Sequence, residues 1–333
     1  MPLDSTFQPR GLLTNTHVQS LMTSGPWRRH KVQQRAQAYL DNTQAEVWAA
    51  NDGTRLLGYR NKPTQAQSSP TPLVILIHGW EGSADSNYLL SAANTLDQAG
   101  WATFRLNLRD HGESHHLNLG LFHSCLLFEV LDVIAQLAAD WRASHPGAKV
   151  HLAGFSLGGN FTLRVARDAA KVDLKLDRAM AISPVIRPKH VMQALESGPA
   201  IYHRYFVNKW RRSLRQKQHL FPHDYDFSEW FKLARLNQQT AWLIDRYTEY
   251  PSLEDYLEGY SVAGDDLKDL ATPTTILTAA DDPIIPISDF ETLEASDALS
   301  LDVQDRGGHC GFIESWSMTS WAERWLISKM TAN

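Results

Sequence analysis

Val150-His151-Leu152-Ala153-Gly154-Phe155-Ser156-Leu157-Gly158-Gly159-Asn160 is the stretch that decides the fold. Val150–Gly154 reads as a short buried strand, and Leu157–Ala170 reads as a helix. Between them, Gly154-x-Ser156-x-Gly158 fits the sharp strand-to-helix turn that projects a serine hydroxyl. Glycines permit such a strained turn and let neighbouring chain pack closely. A helix starting at Leu157 also aims N–H groups and positive potential at the serine, which suits a developing anion. Taken alone, the same residues also fit a Gly-rich turn carrying a solvated serine.

Working outward, the neighbouring segments repeat the strand–helix alternation. Leu73–Ile77 is a continuous apolar run of the kind buried on both faces of a parallel sheet. A helix is expected near 87–99 and a strand over Trp101–Leu108. Leu127, Val130, Leu131, Ile134, Leu137, Ala138 and Trp141 recur at helical spacing before Pro146-Gly147. Strands follow at Arg178–Ile182 and Thr274–Thr278, then a helix near 288–298, a strand around Leu301–Val303 and an amphipathic helix at 313–330. This alternation predicts an α/β fold with a mostly parallel central sheet flanked by helices. Upstream, Asn51-Asp52-Gly53 joins Ala45–Ala50 to Thr54–Arg60 as a hairpin. Residues 1–45 read as polar and irregular, and 61–72, with Pro, Ser and Gln, as a loop. From Pro184 to Pro273 the alternation stops, and an aromatic-rich stretch reads as a helical insertion over the sheet. The expected organisation is an N-terminal segment and hairpin (1–60), a first core part (61–184), a helical cap insertion (185–272) and a second core part (273–333).

Composition narrows the class. The 333 residues are 43% hydrophobic and 21% charged, which excludes disorder and leaves ample chain for a large core. A net charge of −5 gives no whole-protein signal for nucleic acid. Cys125 and Cys310 are the only cysteines, too few for a disulfide framework or a zinc finger. The first seven residues lack the layout of a signal peptide, and no apolar run approaches the ~20 residues of a membrane helix. A cytoplasmic globular protein is expected.

Serine is a weak nucleophile and needs a base, which in turn needs an orienting acid. Asp281-Asp282-Pro283-Ile284-Ile285-Pro286 follows the strand at 274–278, and Gly307-Gly308-His309-Cys310-Gly311-Phe312 follows the next. The chain order Ser156, Asp282, His309 is the one expected for this architecture. Asp282 lies four residues before Pro286 and is assigned the acid; Asp281 is assigned to hydrogen bonding the loop's own backbone. His78-Gly79-Trp80-Glu81-Gly82-Ser83 ends the first buried strand, so the backbone N–H groups of Trp80 and Leu157 are the expected oxyanion donors. His78 reads as structural and Cys310 as a small filler beside the base. Asn107 to Ser114 forms a polar loop closing the second buried strand.

These blocks together resemble the α/β-hydrolases, and more narrowly their YheT-like branch, which contains abhydrolase-domain lipid and ester hydrolases. The narrowing rests on Phe7-Gln8-Pro9-Arg10-Gly11 through Asn15-Thr16-His17-Val18-Gln19-Ser20-Leu21, similar to that branch's N-terminal segment. His78–Ser83, Gly154–Asn160, Ala280–Pro283 and Gly308–Phe312 are similar to its other blocks. The resemblance implies a serine hydrolase of acyl esters with a Ser–Asp–His triad and no metal or organic cofactor. The insertion departs most: Tyr256-Leu257-Glu258-Gly259-Tyr260-Ser261 replaces a denser Tyr/Ser pattern. Epoxide-hydrolase and dehalogenase chemistry is disfavoured, since it needs a carboxylate where this chain has Ser156. Acyltransferase and thioesterase activities share every residue named, and a non-catalytic binder remains the rival from another class.

Other features have alternative readings. His111, His115, His116 and His123, with Asp110 and Glu113, match no recognised metal spacing. Arg204–Lys217 carries six Lys/Arg and no acid, which reads as a solvated helix face or as a surface for phosphate head groups. Partners are expected to be a small acyl ester or lipid, with no nucleic acid and at most peripheral membrane contact. Trp80, Phe155, Tyr205, Trp210 and Trp230 are the candidate substrate contacts.

Overall fold

The structure, a computed structural model, describes residues 6–63 and 70–331. Half of the loop expected at 61–72, residues 64–69, lies outside them. One sheet holds eight strands: β1 Gln44–Ala49, β2 Arg55–Asn61, β3 Leu73–Ile77, β4 Ala102–Leu106, β5 Val150–Phe155, β6 Arg178–Ile182, β7 Thr274–Ala279 and β8 Leu299–Gln304. Their order is β1-β2-β4-β3-β5-β6-β7-β8. Pairs β1–β2 and β2–β4 are antiparallel, and every other pair is parallel.

Eleven α-helices occur among the described residues. They are α1 Thr16–Ser24, α2 Pro26–Arg35, α3 Gln37–Asp41, α4 Asn87–Gln98, α5 Leu127–Ser144, α6 Leu157–Asp168, α7 Pro188–Ser197, α8 Ala200–Leu220, α9 Leu236–Tyr247, α10 Leu253–Glu258 and α11 Trp321–Thr331. The apolar run of β3 explains the layering. Val74 and Leu76 enter a core built with α4 and α11, while Leu73, Ile75 and Ile77 enter the opposite core with α5 and α6. Strand side chains alternate between faces, so a strand buried on both must be apolar throughout. No helix among the described residues is long and apolar enough to cross a membrane.

Three expectations need correction. Residues 1–45 are not irregular: a 3-10 turn at Gly11–Thr14 leads into α1, α2 and α3. Asn15 caps α1, its side chain accepting the N–H groups of His17 and Val18, and Pro26 opens α2. These helices dock through apolar and polar groups together, with Val32 and Tyr39 in the core of α4 and α11 and Val18 and Met22 against Leu13 and Ile313. Gln19 and Thr23 are the buried residues of α1, and α2 buries Arg28, whose guanidinium meets Glu323 of α11 at 3.2 Å. Second, the last helix begins at Trp321 rather than 313, because residues 313–320 fold back to pair Ile313 with Ser320. Third, the helix expected near 288–298 is a single 3-10 stretch, Ile287–Thr292.

Helices α7 to α10 lie between β6 and β7, as expected of the insertion. Helix α8 is fixed at one end by Lys217, which is fully buried. Its ammonium donates to Asp110 Oδ1 at 2.8 Å and to the carbonyls of Asn118 and Gly120 at 2.7 and 3.1 Å. The cationic run is therefore not a plain solvated face: Arg211 also spends its guanidinium on the carbonyls of Phe231 and Leu233.

Candidate active site

Ser156 sits at the junction of β5 and α6 with φ 55° and ψ −117°, a backbone state that L-residues avoid. The turn survives because its flanks are glycine. A Cβ on Gly154 would stand 2.1 Å from the Gly158 carbonyl oxygen, and one on Gly158 would stand 2.4 Å from the carbonyl oxygens of Ile77 and His78. The Ser156 N–H donates to Ile182 O at 2.9 Å, pinning the turn to β6.

The loops after β7 and β8 bring Asp282 and His309 to this serine. His309 Nε2 lies 2.9 Å from Ser156 Oγ, and His309 Nδ1 lies 2.9 Å from Asp282 Oδ2. Asp282 is completely enclosed, and its other oxygen accepts the N–H groups of Ile284 and Ile285 at 2.8 and 3.0 Å. Burial alone lowers the imidazole pKa, but the Asp282 carboxylate, with the adjacent Cys310, outweighs it and holds His309 well above its usual value. Asp281 points elsewhere: its Oδ1 accepts the Gly308 N–H at 2.9 Å. It thus braces the neighbouring loop rather than its own, and the bonds within the loop come from Asp282.

Helix α1 supports both loops, a part of the site that the sequence reading missed. Thr16 Oγ1 donates to the Asp281 carbonyl at 2.6 Å, and Ser20 Oγ accepts the His309 N–H at 2.9 Å. Gln19 clasps Ile313, accepting its N–H at 2.8 Å and donating to its carbonyl at 2.9 Å. The only signal for these residues was the similarity of segment 7–22 to a known branch; nothing in their periodicity marked them.

The loop after β3 completes the surroundings of Ser156. Gly79 N–H donates to Tyr88 OH at 2.9 Å, and Glu81 N–H donates to His111 Nε2 at 3.1 Å. His78 is structural: Nδ1 pairs with the Gly79 carbonyl and Nε2 accepts the Leu108 N–H. Burial pushes His78 down to about 4 and His111 well below its usual value, so both rings are neutral acceptors at Nε2. The N–H groups of Trp80, between these anchored neighbours, and of Leu157, next to Ser156, have no acceptor among the described residues. The remaining loop histidines scatter, His115 pairing with Ser213 and His123 lying against Tyr250 and Tyr256.

Two cavities open on Ser156, separated by the stacked rings of Trp80 and Phe206, whose centroids are 5.3 Å apart. The first runs beneath the insertion, with Trp210, Leu214, Leu236 and Leu243 among its walls. The second is walled by His309, Tyr88, Tyr202, Tyr205 and Lys209. Trp80, Trp210 and Tyr205 are therefore cavity residues. Phe155 is not: as a β5 residue it points into the α4 core against Tyr88, with ring centroids 4.9 Å apart. Trp230 is not either. It is fully buried within the insertion, gives its indole N–H to Gln239 O at 2.9 Å and backs Trp210 edge to face.

The sheet, the strained serine turn and the loops that meet it define the class. The chain belongs to the α/β hydrolase fold family, whose sequence pattern matches residues 72–316. It is 26% identical to YheT of Escherichia coli (strain K12), an esterase by inference, over 82% of this chain and 79% of that one. It is 24% identical to phospholipase ABHD3 of Mus musculus over 76% of this chain, and spans only 61% of that relative's length. Among solved structures, the 2,6-dihydroxy-pseudo-oxynicotine hydrolase superposes with a TM-score of 0.58 at 18% identity, covering 90% of this chain and 71% of that one. The Pyrobaculum calidifontis esterase gives 0.54 at 15% identity, covering 91% and 88%. At these identities the two structures show the shared fold.

Proposed function

We propose that this protein is a serine esterase that cleaves carboxylic esters of small molecules or lipids through an acyl-enzyme. The observation that carries the reading is one imidazole bridging Ser156 Oγ and Asp282 Oδ2 at 2.9 Å on each side. The names of its relatives, an inferred esterase and a phospholipase, support the same class of substrate.

In the proposed mechanism, Asp282 holds His309 in the Nδ1–H tautomer, leaving the Nε2 lone pair facing the serine hydroxyl. His309 takes the Ser156 proton as Oγ adds to the ester carbonyl. The charge that develops on the carbonyl oxygen is met by the N–H groups of Trp80 and Leu157, donors of a kind worth on the order of 10²–10³ in kcat each. Collapse breaks the bond to the alcohol, whose oxygen receives the proton from Nε2. Water then enters, gives its proton to Nε2, adds to the acyl-serine and releases the acid, returning the proton to Ser156.

A panel of p-nitrophenyl esters from acetyl to decanoyl tests this reading. Turnover of at least one ester, lost by three or more orders of magnitude in Ser156→Ala without loss of fold, is the expected result. Equal turnover by the variant contradicts it.

A further inference from the structure

The two cavities at Ser156 are not equivalent, and proton transfer assigns each its half of the substrate. This step rests on the esterase reading. The departing alcohol oxygen takes its proton from His309 Nε2, so it must leave on the side that His309 lines. That is the second cavity; the first, beneath the insertion, lacks His309 and is left for the acyl chain.

The second cavity leads outward past Tyr205 and Lys209, which also line a polar groove bounded by Arg29 and Arg212. Lys209 gives one proton to the Glu81 carbonyl at 2.9 Å and keeps two donors. Neither Arg29 nor Arg212 has a side-chain partner among the described residues. The acids of the groove do not cancel these charges. Asp85 is paired with Arg105 and Asp110 with Lys217. Glu81 and Glu113 have no ion-pair partner among the described residues; Glu81 is partly buried, and burial outweighs the nearby Lys209 charge and pushes its carboxyl up. The two groove histidines, His111 and His115, are held neutral by burial. Three cations thus face two carboxyls without an ion pair, Glu81 and Glu113, along the path that the leaving group must take.

We propose that the alcohol half of the substrate carries an anionic group, a phosphate or a carboxylate, which Lys209, Arg29 and Arg212 receive. A phosphate bound to two guanidinium groups and an ammonium is the arrangement such side chains favour.

The test uses 1-butyrylglycerol and 1-butyrylglycerol 3-phosphate, which share acyl chain and glycerol and are monomeric in water. The expected result is a higher kcat/KM for the phosphate ester, and a ratio of the two that falls about tenfold in Arg29→Gln/Arg212→Gln. Equal efficiency for the two esters, or a ratio unchanged in the double variant, overturns the inference while leaving the esterase reading intact. A preference that appears only when anionic micelles are added overturns it as well, and assigns the cations to a lipid surface instead. Failure to cleave either ester or any p-nitrophenyl ester removes the esterase reading itself, and this inference with it.

Discussion

At the residue scale, the two adjacent carboxylates have separate duties that the geometry makes testable. Asp282 touches the imidazole, whereas Asp281 braces Gly308. Asp282→Asn should lower kcat by on the order of 10⁴, as expected for an imidazole with the wrong tautomer. Asp281→Asn keeps an acceptor for the Gly308 N–H and should retain most of its turnover. A dead Asp281→Asn beside an active Asp282→Asn would reverse these roles. The pH profile gives a second reading of the same contact. His309 must be neutral to accept the serine proton, so kcat/KM should rise with pH through a value above the usual histidine range. Removing the Asp282 charge lets burial dominate, so the residual activity of Asp282→Asn should rise at lower pH. A limb that stays in place or moves upward contradicts that account. Ser156, Asp282 and His309, which the structure brings together, were legible in the sequence because each sits in a short motif after a strand. Phe155 was misread as a cavity residue because proximity in sequence to Ser156 says nothing about strand alternation, which turns its ring to the opposite side.

At the scale of elements, the strands were legible and the N-terminal helices were not. A strand buried on both faces must be apolar, and Leu73–Ile77 carries that requirement openly. Helix α1 has a short apolar stripe, with Val18 and Met22 against Leu13 and Ile313, but its ties to the loops after β7 and β8 are the hydrogen bonds of Thr16, Gln19 and Ser20. Periodicity detects burial of apolar faces and is blind to docking of this kind. Helix α2 hides for a related reason, burying an arginine against Glu323. The contact of α1 with the base predicts that Ser20→Ala, which strands the His309 N–H, lowers kcat about ten- to hundred-fold with little change in KM for a small ester. Ser20→Thr, which keeps the hydroxyl, should restore most of it. Loss of stability with kcat intact would make α1 a brace and nothing more.

For the whole molecule, the sheet and the insertion divide the work. Loops at the strand ends hold Ser156, Asp282 and His309, and helices α7 to α10 roof the cavity proposed for the acyl chain. Substrate size is therefore predicted to depend on the insertion. Trp210 lines that cavity and packs edge to face on Trp80, with centroids 5.1 Å apart. Trp210→Leu should raise the decanoyl-to-acetyl ratio of kcat/KM about tenfold, in line with the value of a few methylene contacts. A uniform fall across the panel with lowered stability would place Trp210 among the packing residues. The sequence announced the insertion by the break in alternation, but not which of its aromatics face the cavity, because that depends on packing between helices distant in the chain. All of this presumes that Ser156 is the nucleophile, and one measurement addresses that directly. The folded protein is treated with a fluorophosphonate and the adduct is located by peptide mass spectrometry, alongside His309→Ala. A single adduct on Ser156, formed far more slowly when His309 is gone, is the expected result. An unlabelled Ser156, or labelling at the same rate in His309→Ala, would contradict it.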